Sequence, residues 1–148
     1  MWRLACILAV AAFAVAGTVR AQERAVTYYV QLIRSSDSEQ APQAESRRVG
    51  TKLAETFCGV LKWKNYWEIC QRKAEVILGR ATMVWLSNGR EVEIDLRRRG
   101  KRTVTAFQNG RLVDRTIVPA GEAMAVIGGD RDQKSAWFIV VRRDRPGG

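Results

Sequence analysis

Arg90-Glu91-Val92-Glu93-Ile94-Asp95-Leu96-Arg97 places Val92, Ile94 and Leu96 at alternate positions with carboxylates between them, the pattern of a strand with one buried and one solvated face. The segments on either side extend the same reading. Ala81–Leu86 precedes it as a strand, joined through Ser87-Asn88-Gly89, and Arg102–Gln108 and Arg111–Val118 follow it on either side of Asn109-Gly110. Asn-Gly suits the two-residue hairpin turn because both central residues need positive φ. Tight turns join antiparallel neighbours, so the middle of the chain predicts a meander. Its register stays open. A four-residue loop between Arg90–Arg97 and Arg102–Gln108 sets Phe107 on the apolar face, whereas a loop one residue longer sets Val104 and Ala106 there.

Outward from this centre, Val26–Arg34 is rich in β-branched and aromatic residues and predicts a first strand, followed by the polar loop Ser35–Gln43. Ala44–Phe57 spaces Val49, Leu53 and Phe57 four apart, which predicts a helix burying one stripe and ending near Gly59. Strand character resumes at Trp67 and runs to Leu78. On the C-terminal side Glu122–Ile127 is a strand, Gly128–Ser135 a loop, Ala136–Arg142 a last strand and 143–148 a loose tail. The expected fold class is α+β, mainly β: an N-terminal strand and one helix near 44–58, then an antiparallel β meander forming a sandwich or open barrel.

The first 21 residues are expected to be a secretory signal peptide. Leu4–Ala16 is an apolar run of 13 residues behind Arg3, and Val19-Arg20-Ala21 offers a cleavage site. An uncleaved anchor is the alternative, but a run of this length falls short of the ~20 residues that cross a bilayer. Cleavage after Ala21 leaves a single domain over 22–142, exported to a periplasm or secreted. The formal charge of +10 falls to +8 when Arg3 and Arg20 are removed. That excess favours anionic partners, and export argues against nucleic acid as one.

Two cysteines, Cys58 and Cys70, remain after cleavage, and an oxidising compartment predicts a bridge between them. Buried free thiols are the alternative. The chain has no histidine, which removes the usual general base and the common zinc ligand sets, so neither a metal nor a cofactor is expected.

Three stretches carry candidate binding chemistry. Arg97, Arg98, Arg99, Lys101 and Arg102 crowd one turn, where they are expected to project into solvent and offer donors to phosphate or sulfate; a solubilising charged turn is the ordinary explanation. Trp63, Tyr66 and Trp67 alternate with lysines and are partner-binding candidates, against a core plug between the cysteines. Asp130, Arg131 and Asp132 lie in the Gly128–Ser135 loop, a partner-contact candidate in which Lys134 argues against calcium. Glu91, Glu93 and Asp95 read as a solvated strand face, with nothing to separate their pKa values into acid and base.

The composition is similar to that of small exported adaptor, inhibitor and assembly modules of bacterial envelopes, at the level of architecture only. The expectation is therefore a non-catalytic binding or assembly module acting on another envelope or extracellular protein. A direct binder of anionic polymer or lipid head groups through Arg97–Arg102 is the alternative, and a carboxylate-based hydrolase a distant third.

Overall fold

The computed structural model describes residues 23–131 and 133–147; the expected signal peptide, 1–21, lies outside them. Nine strands and one helix follow in the order β1 (Ala25–Ser36), β2 (Arg47–Arg48), α1 (Thr51–Cys58), β3 (Asn65–Ile77), β4 (Ala81–Trp85), β5 (Arg90–Asp95), β6 (Lys101–Gln108), β7 (Arg111–Pro119), β8 (Met124–Arg131) and β9 (Ser135–Arg142). They form two antiparallel sheets, ordered β2-β3-β1-β9-β8 and β4-β5-β6-β7. The fold is the expected mainly β, α+β class, resolved as an open sandwich. No helix among the described residues is long and apolar enough to cross a membrane.

The four-stranded sheet is the predicted meander. Asn88, Gly89, Asn109 and Gly110 all take positive φ, as the hairpin turns require. Ile94 pairs with Val104 and Val92 with Ala106, so the open register is settled with Val104 and Ala106 facing inward and Phe107 outward across from Glu91. The two turn tips are also fastened together. Asn109 donates its backbone N–H to the Gly89 carbonyl at 2.8 Å, and a Cβ on Gly89 would stand 2.2 Å from Asn109 Oδ1.

The five-stranded sheet is assembled from distant segments. β1 lies between β3 and β9, pairing Tyr29 with Lys73 on one side and with Arg142 on the other. Tyr28, Val30 and Leu32 of β1 join Ile139 and Val141 of β9, Ala125 and Ile127 of β8, and the inner residues of the second sheet in one core. A bulge in β3 sets the side-chain faces. Leu32 pairs with Cys70 but Ile33 with Glu68, leaving Ile69 as the extra residue. Ile69 and Trp67 therefore share the inner face with Ala74 and Val76, although their numbers differ in parity.

The outer face of this sheet carries a second, smaller core under α1, made by Ile33, Val49, Leu53, Phe57, Tyr66 and Val140. Here the helix differs from expectation. It begins only at Thr51, because Arg47 and Arg48 pair with Glu68 and Trp67 as a short edge strand, and Gly50 is the N-cap. Val49 still buries its side chain, but from extended chain. The Gly128–Ser135 loop also contracts, since β8 continues to Arg131, whose backbone pairs with Ala136.

The Cys58–Cys70 bridge is absent and both thiols are free. Cys58 is exposed at the end of α1, on the outer side of the five-stranded sheet. Cys70 packs against the core between the sheets, where Ser87 donates its hydroxyl to the Cys70 sulfur at 3.6 Å. The sheet separates them, and a disulfide needs Cβ atoms only about 3.5–4.5 Å apart.

Candidate functional site

The basic turn does not present five free cations. Arg102 continues the inward alternation of Val104 and Ala106 and is fully buried, with 0% exposure. Its guanidinium lies 5.0 Å from the Tyr28 ring centroid and donates to the Glu122 carbonyl at 3.1 Å. The expectation that this residue projects into solvent is thus corrected: strand parity places it inside, and an aromatic face supplies its partner. Arg97 grips Asp95 through Nε and Nη2, the latter at 2.6 Å. That pair holds the Asp95 carboxyl below the usual aspartate range. Arg98, Arg99 and Lys101 remain exposed at the tip.

The aromatic candidates belong to the interior. Tyr66 and Trp67 are buried, one on each face of the five-stranded sheet, and Trp63 is half-buried against the core under α1. Tyr66 packs against Phe57 with ring centroids 5.1 Å apart and planes tilted by 39°, and Arg48 covers Trp67 at 4.5 Å. Asp130 and Arg131 end β8, but their side chains, and all of Asp132, lie outside the described residues.

A different constellation gathers on the outer face of the five-stranded sheet, beside the N-terminus of α1. It is a cleft of about 530 Å³ whose lining includes Arg47, Arg48, Lys52, Arg142 and Arg145, five cations, against two acids, Glu68 and Asp144. Four separate stretches of the chain supply it: β1 the floor, β3 one side, β2 with the start of α1 another, and β9 with the segment after it the last.

Its floor is a buried polar network. Gln31 is only 2% exposed and donates through Nε2 to Glu68 Oε2 at 2.6 Å. Arg47 reaches in from the rim and donates to Glu68 Oε1 at 2.6 Å. These contacts fix the Gln31 amide, because the carboxylate can accept only from the amide nitrogen. Gln31 Oε1 is thereby left as a buried acceptor with no hydrogen-bond partner among the described residues.

The rim is cationic for two reasons. The first is the basic residues themselves: Arg47 and Arg142 are paired with Glu68 and Asp144, Arg48 turns to the other face of the sheet over Trp67, and Lys52 and Arg145 stand exposed. The second is α1, whose first turn has no acidic residue and whose N-cap, Gly50, supplies no side-chain hydrogen bond. Unsatisfied N–H groups at a helix start carry partial positive charge and favour anions. Arg142, with a contribution from Lys52, holds the Asp144 carboxyl below its usual range.

None of Gln31, Glu68, Arg142 or Arg145 is distinctive in the sequence. The available signals were weak: Gln31 and Glu68 each set between two apolar neighbours, and the Arg47-Arg48 pair just ahead of Val49-Gly50. Comparison with known protein families, with curated proteins and with solved structures finds no match for this chain.

Proposed function

We propose that this protein is an exported, non-catalytic binding or assembly module that holds an anionic group of another envelope or extracellular protein in the cleft between β1, β3, β9 and α1. The observation that carries this reading is one concavity, lined by only two acids, that gathers the exposed Lys52 and Arg145, the ion-paired Arg47 and Arg142 and an uncapped helix start. Concave sites with a few convergent polar groups are where ligands usually bind. The reading moves the anion site away from Arg97–Arg102. In that turn one arginine is buried and another is neutralised by Asp95, so three exposed cations remain on a convex tip.

A non-catalytic role is favoured by the carboxylates. Glu91, Glu93 and Asp95 line the outer face of the four-stranded sheet, and Arg97 draws the Asp95 pKa down, whereas a general acid at neutral pH needs it raised.

Retention on polyglutamate and polyphosphate columns at increasing salt tests the proposal. Lys52→Glu with Arg145→Glu should weaken binding by about tenfold or more, the scale of opposing a charge in a specific ionic contact. Arg98→Glu with Arg99→Glu should change it by about twofold, as screened peripheral charges do. The reverse ranking would return the site to the basic turn. Equal retention of all variants would remove the anion-binding reading.

A further inference from the structure

We propose that the occupant of this cleft is an acidic, extended polypeptide segment of a partner, and that the chain's own Asp144 segment occupies the same place intramolecularly. The inference rests on the cleft reading above and adds which anion the cleft takes.

Gln31 points to a peptide. Its Oε1 is a buried acceptor that the Glu68 contact leaves without a hydrogen-bond partner among the described residues, so a matching ligand brings a donor to the floor as well as negative charge to the rim. A phosphate group at neutral pH is mainly an acceptor. An acidic peptide carries both functions, with carboxylates on its side chains and N–H groups along its backbone.

The segment after β9 shows that a polypeptide fits. Asp144 places its carboxylate on Arg142, within the influence of Lys52. Three residues on, the Gly147 carbonyl oxygen lies 3.1 Å from where a Cβ on Gly50 would stand, so the backbone passes close to the N-cap of α1. Gly50 leaves room for that approach because it has no side chain. Asp144 is exposed on its other side and makes one ion pair among the described contacts, which suits a contact that a stronger ligand displaces.

The test is fluorescence anisotropy of fluorescein-labelled hexaglutamate with the full chain at low salt. Asp144→Asn removes the internal carboxylate and leaves every cation in place. It should tighten hexaglutamate binding by about fivefold, because occupancy by the internal segment lowers the competent fraction. Hexaglutamate with an N-methylated backbone has no N–H donors, and it should bind about tenfold more weakly to both proteins, the scale of one unmet buried hydrogen bond. Inorganic phosphate should displace the label only at far higher concentration.

If Asp144→Asn binds no tighter, or the N-methylated peptide binds equally well, the peptide inference is overturned. The cleft reading then survives provided that Lys52→Glu with Arg145→Glu still weakens binding by about tenfold or more. Efficient displacement by phosphate, or retention on polyphosphate with no hexaglutamate binding, would also overturn the peptide and leave a phosphate-bearing ligand. Hexaglutamate binding that ignores the Lys52 and Arg145 substitutions would overturn the cleft itself.

Discussion

The turn at Arg97–Arg102 and the cleft beside α1 each hold five basic residues, and they are built in opposite ways. The turn's five lie within six consecutive positions; the cleft's five come from two stretches, 47–52 and 142–145, that lie some 90 residues apart. Yet the turn disperses its charge, whereas the cleft brings four of its five cations, Arg47, Lys52, Arg142 and Arg145, to one concave face. Adjacent residues on a strand point to opposite faces, so Arg102 enters the core while Lys101 leaves it. Arg97 folds back on Asp95 two positions away. In the cleft, strand pairing and the short edge strand β2 bring residues far apart in sequence to one concave face. Charge density along a chain is a poor guide to charge density in space.

The largest effect expected from this contrast is on stability, within the turn. Arg102→Ala should destabilise by about 3 kcal/mol, as for other large buried side chains that lose packing and partners. Arg98→Ala and Arg99→Ala should stay within about 0.5 kcal/mol, as exposed substitutions do. Urea unfolding of the three variants checks this, and equal small effects would restore a turn of five solvated cations.

Next in size is the cleft floor. Glu68→Ala strands the buried Gln31 amide nitrogen, and the loss of one partner of a buried polar pair costs about 2 kcal/mol. Glu68→Gln keeps an acceptor for Gln31 and should recover much of that loss. If both substitutions were harmless, the floor would not be a fixed network.

The smallest effect is the pH response of the two aspartates. Both Asp95 and Asp144 have folded-state pKa values below the ordinary aspartate value of about 3.9. Their ion pairs therefore contribute fully above that pH and are lost as the pH falls through the lowered folded-state values. Asp95→Asn and Asp144→Asn should each flatten the acid limb of stability slightly, since exposed pairs contribute little. The two variants differ in binding: Asp144→Asn should alter hexaglutamate affinity, and Asp95→Asn should not.

Much of the four-stranded sheet was legible because its information is local. Alternation in Arg90–Arg97 and the two Asn-Gly turns define strands, faces and connections within a few residues of one another. The same alternation, continued from Val104 and Ala106, would have placed Arg102 inside once the register was known, but the length of the turn left two registers open. The helix was mislocated at its start because Val49 fits a helical stripe and a buried extended residue equally well. Pairing of Arg47 and Arg48 with β3 decided between them.

The sequence by itself determined the β-rich class, the helix stripe of Leu53 and Phe57, and the hairpins, because periodicity and turn chemistry act over short separations. Only the tertiary structure decided that β1 sits between β3 and β9 and that one extra residue, Ile69, shifts the faces of β3. Those two facts put Gln31, Glu68 and Arg142 on one surface and Cys58 and Cys70 on opposite sides of a sheet. Contacts of this kind join residues far apart in the chain, and no local pattern encodes which distant strand will be the neighbour.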